Sequence, residues 1–591
     1  MLTFLLKKSK RTKFECELES ESGATQSQLT LYTHTVNMTM PSEKIKPIQS
    51  ITANIVDVLN KTIFHGTINI ENGKISSIEK KSSVIKEGEN FILPGFVDAH
   101  IHIESSMLIP YEFSRIALAH GTVSTVSDPH EIANVMGVEG VRYMIRNAEH
   151  SPLKFYFGAP SCVPATSFET AGAEITAADI EALFLEHDLK YLAEMMNYPG
   201  VLNRSDLVMD KIAVAKKFNK VIDGHAPGLR GDQARDYIAA GISTDHECFT
   251  KEEALDKLKH GMKILIREGS AAKNFDALIS LVDEYPHEVM FCSDDKHPDD
   301  LEIGHINNLV KRAFQLGLDK MNVLRCACVN PVLHYGLEVG LLQPGDEADF
   351  IVVNNLDQLT ILKTVINGQV VAENGGVFLS EKSFEPINNF SSAPKVVEDF
   401  RVLPRTLKKR VIVALDGQLI TDEVTVQPKV ENGFVVSDVD QDILKIVLVN
   451  RYINEPPVIG FIKNFGLKSG AIASSVAHDS HNIIAVGVSD EEICESVNLV
   501  IAAKGGLSVV AEKGNKILPL PVAGLMSTDS WRKVSADYSR LDQTAKELGS
   551  RLRAPFMTLS FMALLVIPKF KISDKGLFDV SAFGFTELFI D

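Results

Sequence analysis

Eight apolar runs, each closing on polar residues and separated by segments with helical spacing, restrict this 591-residue chain more than any other feature. The first spans Phe91 to His102. The others are Thr122–Asp128, Lys154–Gly158, Tyr191–Met196, Val221–His225, Gly241–His246, Lys263–Gly269 and Val289–Asp295. Strands alternating with helices imply a parallel sheet, and eight repeats imply a closed (β/α)8 barrel. The polar residues then fall at the strand ends where such barrels carry their chemistry. One intervening helix begins at Thr250, where Thr250 and Glu253 suggest a capping box and Leu255, Leu258 and Met262 share a face.

The first run is broken by Pro94-Gly95, resumes at Phe96-Val97 and ends in Asp98, His100 and His102. These three share one face of an extended strand. Two imidazoles at that spacing can bind one metal ion, although a lone His-x-His is as often a plain core or surface pair. Other strand ends add Glu194, His225, His246 and Asp294. Taken singly, His225 and His246 fit core or cap residues, and Asp294 and Asp295 fit helix N-caps. Together, four imidazoles and two carboxylates from five strands fit a binuclear metal site. Neutral imidazoles offset no charge, so two dications need carboxylates, and Glu194 has two oxygens with which to bridge them. Glu194 also lies in an apolar run, where an unpaired carboxylate is costly. A hydroxide held between two metals is a nucleophile near neutral pH, and Asp294 can hold it and shuttle its proton.

The rest of the chain divides around this barrel, expected over residues 94–337. Short strands at 46–93 and 338–385 predict a small β-sandwich domain built from both flanks, and residues 395–591 predict a C-terminal α+β domain. Residues 1–45 read as a disordered extension. The formal charge of −17 argues against a nucleic-acid binder. Seven cysteines make no disulfide framework, and Cys326-x-Cys328 lacks a second thiol pair for zinc, so free core thiols are expected. The longest apolar run, Phe556–Ile567, is too short to span a bilayer. In Phe4-Leu5-Leu6 followed by Lys7, Lys8, Lys10 and Arg11, charge follows apolarity, the reverse of a signal peptide. A cytoplasmic protein with no membrane partner is expected.

Pro94-Gly-Phe-Val-Asp-Ala-His-Ile-His102, with His225, His246 and Asp294, resembles the ligand pattern of the amidohydrolase superfamily; many relatives carry a carboxylated lysine where this chain offers Glu194. More narrowly, six motifs resemble the bacterial-type adenine deaminase family: His102–Met107, Ser127–Glu131, Asp223–Gly228, Asp245–Glu247, Ile266–Ser270 and Ser293–Asp295. So do Ser480–Asn482, Gly505-Gly506 and Pro521–Ser527.

The resemblance implies hydrolytic deamination of adenine to hypoxanthine and ammonia by a metal-bridged hydroxide, in purine salvage or nucleobase catabolism. It implies two divalent ions, Mn2+ or Fe2+ ahead of Zn2+, and a homo-oligomer. A neutral base suits an acidic chain. Asp294 would carry the proton, and Glu268, Glu131 or His130 would stabilise the tetrahedral adduct near N1. Glu104, Ser105, Asp128, Ser270 and Asp295 would line the substrate site. The Asp128–Glu131 cluster could instead bind a further metal or cap a helix. His478 and His481 read as surface histidines in a Ser/Asn turn rather than a closure over the barrel mouth. Two other readings remain: an amidohydrolase for a cyclic amide or N-acyl substrate, and a non-catalytic barrel scaffold, which loss of ligands would mark.

Overall fold

The computed structural model describes residues 46–590 except 271, 406 and 407, and there the eight apolar runs become eight parallel strands. They are β1 (Phe96–Ile101), β2 (Thr122–Ser127), β3 (Lys154–Ala159), β4 (Tyr191–Met195), β5 (Val221–Gly224), β6 (Thr244–Asp245), β7 (Lys263–Arg267) and β8 (Val289–Cys292). β1 to β5 pair in sequence order, as do β6 to β8. Two seams close the barrel. Between β8 and β1, the Asp294 N–H donates to the His100 carbonyl at 3.0 Å. Between β5 and β6, the Ser243 N–H donates to the Ile222 carbonyl at 2.9 Å. β6 is short because the Thr244 hydroxyl replaces ladder bonds: it takes the Gly224 N–H at 3.2 Å and donates to Asp223 at 2.8 Å.

The opening run serves two sheets. Phe91–Pro94 pairs with Ser50–Asp57 on one side and Phe350–Val353 on the other, stitching the two flanks into one continuous nine-stranded sheet. Its core holds Ile55, Ile68, Ile92, Phe350 and Val365. The chain then enters β1 at Gly95, where a Cβ would lie 2.3 Å from Val123 Cγ1, so no larger residue fits the crossing.

The helix Lys251–Lys259 begins as expected, with the Thr250 hydroxyl accepting the Glu253 N–H at 3.3 Å. The reciprocal half of the capping box is missing. Glu253 instead accepts from Phe249 N–H at 3.1 Å, Gly228 N–H at 2.9 Å and Lys257 Nζ at 2.8 Å. Buried Lys257 also reaches Asp245 at 2.9 Å, so the glutamate is drawn inward to share a buried cation. Burial alone would raise the Asp245 pKa, but Lys257 holds it at about 2.

Beyond residue 400 a second nine-stranded sheet forms, with the helix Asp490–Ala503 packed on it and capped reciprocally by Ser489 and Glu492. A loop between Ala471–Ser474 and Ile483–Gly487 carries His478 and His481. The run Phe556–Ile567 is buried, and among the described residues no helix is long and apolar enough to cross a membrane. Cys162, Cys248, Cys292, Cys326, Cys328 and Cys494 are buried and free. The expected extension over residues 1–45 lies outside the described residues.

Candidate active site

Alternation along β1 sends Asp98 and His100 to one face, and His102 follows just past the strand end. Asp98 works on the barrel closure: it accepts from Ser293 N–H at 3.0 Å and pairs with His305 Nε2 at 2.6 Å. His100 and His102 turn toward each other, with their Nε2 atoms 3.1 Å apart. The Asp128 carbonyl lies 3.2 Å from His102 Nδ1. A carbonyl only accepts, so Nδ1 carries the proton and the Nε2 lone pair faces the cavity.

Glu194, at the end of β4, is the hub. One of its oxygens lies 3.3 Å from His102 Nε2, and the other lies 2.9 Å from His225 Nδ1 and 3.2 Å from His246 Nε2. Asp294 Oδ1 stands 3.3 Å from His102 Nε2 and 3.8 Å from His100 Nε2. All six expected ligands therefore converge at one end of the barrel, and all six are buried. Asp128 holds this corner together, accepting the Glu194 N–H at 3.2 Å and lying 3.2 Å from His130 Nδ1.

Burial works against the carboxylates here, yet facing cations win. His225 keeps Glu194 well below the usual carboxylate range, and Arg267 does the same for Asp294. Burial, with His246 and His102 adding, pushes His100 well below its ordinary value, leaving it neutral. Asp295, buried beside Asp294, is pushed up to about 6, and buried Glu104 to about 7.

The arrangement passes a test for metal. His100 Nε2, His102 Nε2, His225 Nδ1 and His246 Nε2 all face the carboxylates of Glu194 or Asp294. His100 with Glu194 and His246, and His100 with His102 and Asp294, each form a group compact enough to hold an ion. Buried carboxylates in this number need cations, and a nitrogen and oxygen donor set without thiolate suits divalent ions.

Two family profiles match. One, described as the amidohydrolase family, covers residues 91–371, and the other, the adenine deaminase C-terminal domain, covers residues 418–584. An adenine deaminase of Methanosarcina mazei is 53% identical over 91% of this chain and 99% of its own length. One from Salinibacter ruber is 53% identical over 92% of this chain and 99% of its own. One from a Sulfurovum species is 54% identical over 90% of this chain and 98% of its own. This chain belongs to the adenine deaminase family.

In this adenine deaminase relative, several expected residues stand elsewhere. Glu268 does not reach the cavity: it pairs with Arg312 at 3.0 Å and lies 3.9 Å from Lys273. Parity along β7 explains the difference, because Arg267 takes the inward face and the next residue turns outward. Glu268→Gln is expected to leave turnover within about twofold, as for other solvent-side ion pairs, checked by steady-state kinetics. Ser270 is also structural, donating to Asp300 at 2.7 Å and accepting the His297 N–H at 2.8 Å. Ser105 donates to Asp295 at 2.5 Å, and Glu104 accepts the Ile132 N–H at 3.2 Å. Asp295, Glu131 and His130 line the cavity.

Four residues of the site went unrecognised in the sequence. Arg267 contacts both Glu247 and Asp294, and Glu247 lies 3.5 Å from His246 Nε2. An arginine closing an apolar strand was the available signal for the first pair. His478 and His481 come from the far C-terminal sheet and are buried, not on the surface. They take the two oxygens of Glu131, His478 Nδ1 at 2.5 Å and His481 Nε2 on the other. Nothing in the local sequence marks that contact, which spans more than three hundred residues.

Proposed function

We propose that this chain hydrolyses adenine to hypoxanthine and ammonia. The observation that carries this reading is the buried convergence of His100, His102, Glu194, His225, His246 and Asp294 in a chain related to adenine deaminases along nearly its whole length. Those six residues would hold two divalent ions, with Mn2+ or Fe2+ favoured. When bound, such ions supply Lewis acidity and make water a nucleophile at neutral pH.

The chain's own groups do the rest. Asp294 is ionised, with Oδ2 engaged by Arg267 and Oδ1 facing His102, so one oxygen is placed to take a proton and return it to the departing amine. Attack at C6 drives an electron pair onto N1, which then needs a proton donor. His130 and Glu131 both line the cavity, but Glu131 accepts from His478 and His481 on its two oxygens and so serves as an acceptor and not as that donor. Asp295, steadied by Ser105, is placed to accept from an exocyclic amine. Met196, Leu419, Phe561 and Leu564 give the cavity apolar walls suited to the faces of a planar base. A carboxylate-bearing N-acyl substrate would want a free basic clamp, but Arg267 is already spent on Glu247 and Asp294.

Six buried free thiols suit a reducing compartment, and we place the protein in the cytoplasm. The division at residues 94, 338 and 395 into barrel, flanking sheet and C-terminal domain belongs to the same reading.

The decisive assay uses the Mn2+-loaded full chain. Adenine should give one ammonia per hypoxanthine, chelation should abolish turnover, and Mn2+ should restore it. A loaded protein that releases no ammonia from adenine but opens a cyclic amide would overturn the reading.

A further inference from the structure

The cavity is not completed by the barrel. Its far wall comes from the C-terminal sheet and the segment after the helix Pro555–Ser560, through His478, Asp479, Phe561 and Leu564. Within that wall the histidine pair is wired in a defined way. The Ala477 N–H donates to His481 Nδ1 at 3.3 Å, so that nitrogen carries no proton and the His481 proton sits on Nε2. Nε2–H therefore donates to Glu131, which argues for a hydrogen-bond donor at this position and not a metal ligand. The other Glu131 oxygen accepts from His478 Nδ1 at 2.5 Å. The His478 ring is stacked on Phe561, with centroids 4.3 Å apart and planes 15° from parallel, and its backbone N–H is tied to Ser560 at 3.1 Å. Ring plane, the Nδ1 contact with Glu131 and the backbone are all fixed, yet His478 Nε2 is buried and has no protein partner. An imidazole held this firmly with one nitrogen idle is arranged for something that arrives.

We propose that His478, supplied by the C-terminal region, is the catalytic residue that protonates the purine ring, with Glu131 and His481 as positioning residues behind it. This rests on the adenine reading above and adds to it the identity of the ring's proton donor. As the C6–O bond forms, the C6–N1 electron pair moves onto N1 and takes the proton from His478 Nε2. Asp294 takes one of the two protons of the attacking water and delivers it to the amine, while the second stays on the C6 oxygen. When the C6–N6 bond breaks and ammonia leaves, the hydrogen on the C6 oxygen passes back to His478, so the protein ends as it began. Burial alone would lower the His478 pKa, but the Glu131 carboxylate raises it to about 9, in keeping with a ring that carries both protons.

The test compares wild type, His478→Ala, His481→Gln and His481→Leu, all as Mn2+-loaded full chains assayed with adenine. His478→Ala should lose at least about a hundredfold in kcat, as expected for removal of a general acid, with KM and bound Mn2+ little changed. Added imidazole should restore part of that kcat. His481→Gln, whose amide can replace the Nε2–H donor, should stay within about tenfold of wild type, while His481→Leu should fall well below it. The inference is overturned if His478→Ala keeps wild-type kcat, if its loss is not rescued by imidazole, or if His481→Gln and His481→Leu are equally impaired. Failure of the wild type itself on adenine would instead overturn the proposed reaction.

Discussion

Glu194→Gln should lower adenine turnover on the order of a thousandfold, the scale lost when one group aimed at a reacting centre is removed. It should also weaken metal retention by at least about a hundredfold. The reason is the hub geometry, in which one carboxylate stands within 3.3 Å of His102, His225 and His246 together. An amide keeps the size but has one acceptor oxygen and no charge, so it would hold a divalent ion far less well. Ammonia release and metal per chain after gel filtration read the two effects separately. Full metal content with near-normal turnover would show that Glu194 merely hydrogen-bonds the histidines.

The second large effect is on stability. Arg267 is buried and joins Glu247 and Asp294, both also buried. Arg267→Met should cost about 3–5 kcal/mol, because a broken buried pair leaves uncompensated charge behind. The comparison belongs between metal-free proteins, since bound ions would stabilise wild type by mass action. A lower urea midpoint with unchanged slope is the expected result, and adding Glu247→Gln to the same chain should recover part of the loss. If Arg267→Met unfolds at the wild-type midpoint, the carboxylates are paired by something other than this guanidinium.

The same residue shows where strand-end reasoning needs register. The run Lys263–Gly269 contains both Arg267 and Glu268, and either could be taken as its functional end. Because side chains alternate, a shift of one residue exchanges the inner face for the outer. β7 ends at Arg267, so the arginine turns inward onto Glu247 and Asp294 and the glutamate pairs with Arg312 outside. At β1 no such ambiguity arose, because His100 and His102 share a parity and either both enter the barrel or neither does.

The sequence by itself determined the eight-stranded barrel and the six groups at its mouth. Both follow from local rules: apolar runs of strand length alternating with helical spacing, and imidazoles and carboxylates placed at the carboxyl ends of those runs. Only the tertiary structure decided what encloses the site. The contacts of Glu131 with His478 and His481 close a loop of more than three hundred residues, and no periodicity carries across that distance. Packing of the C-terminal sheet against the barrel mouth brings those rings to the cavity, and a surface-like Ser-His-Asn turn becomes part of the buried site.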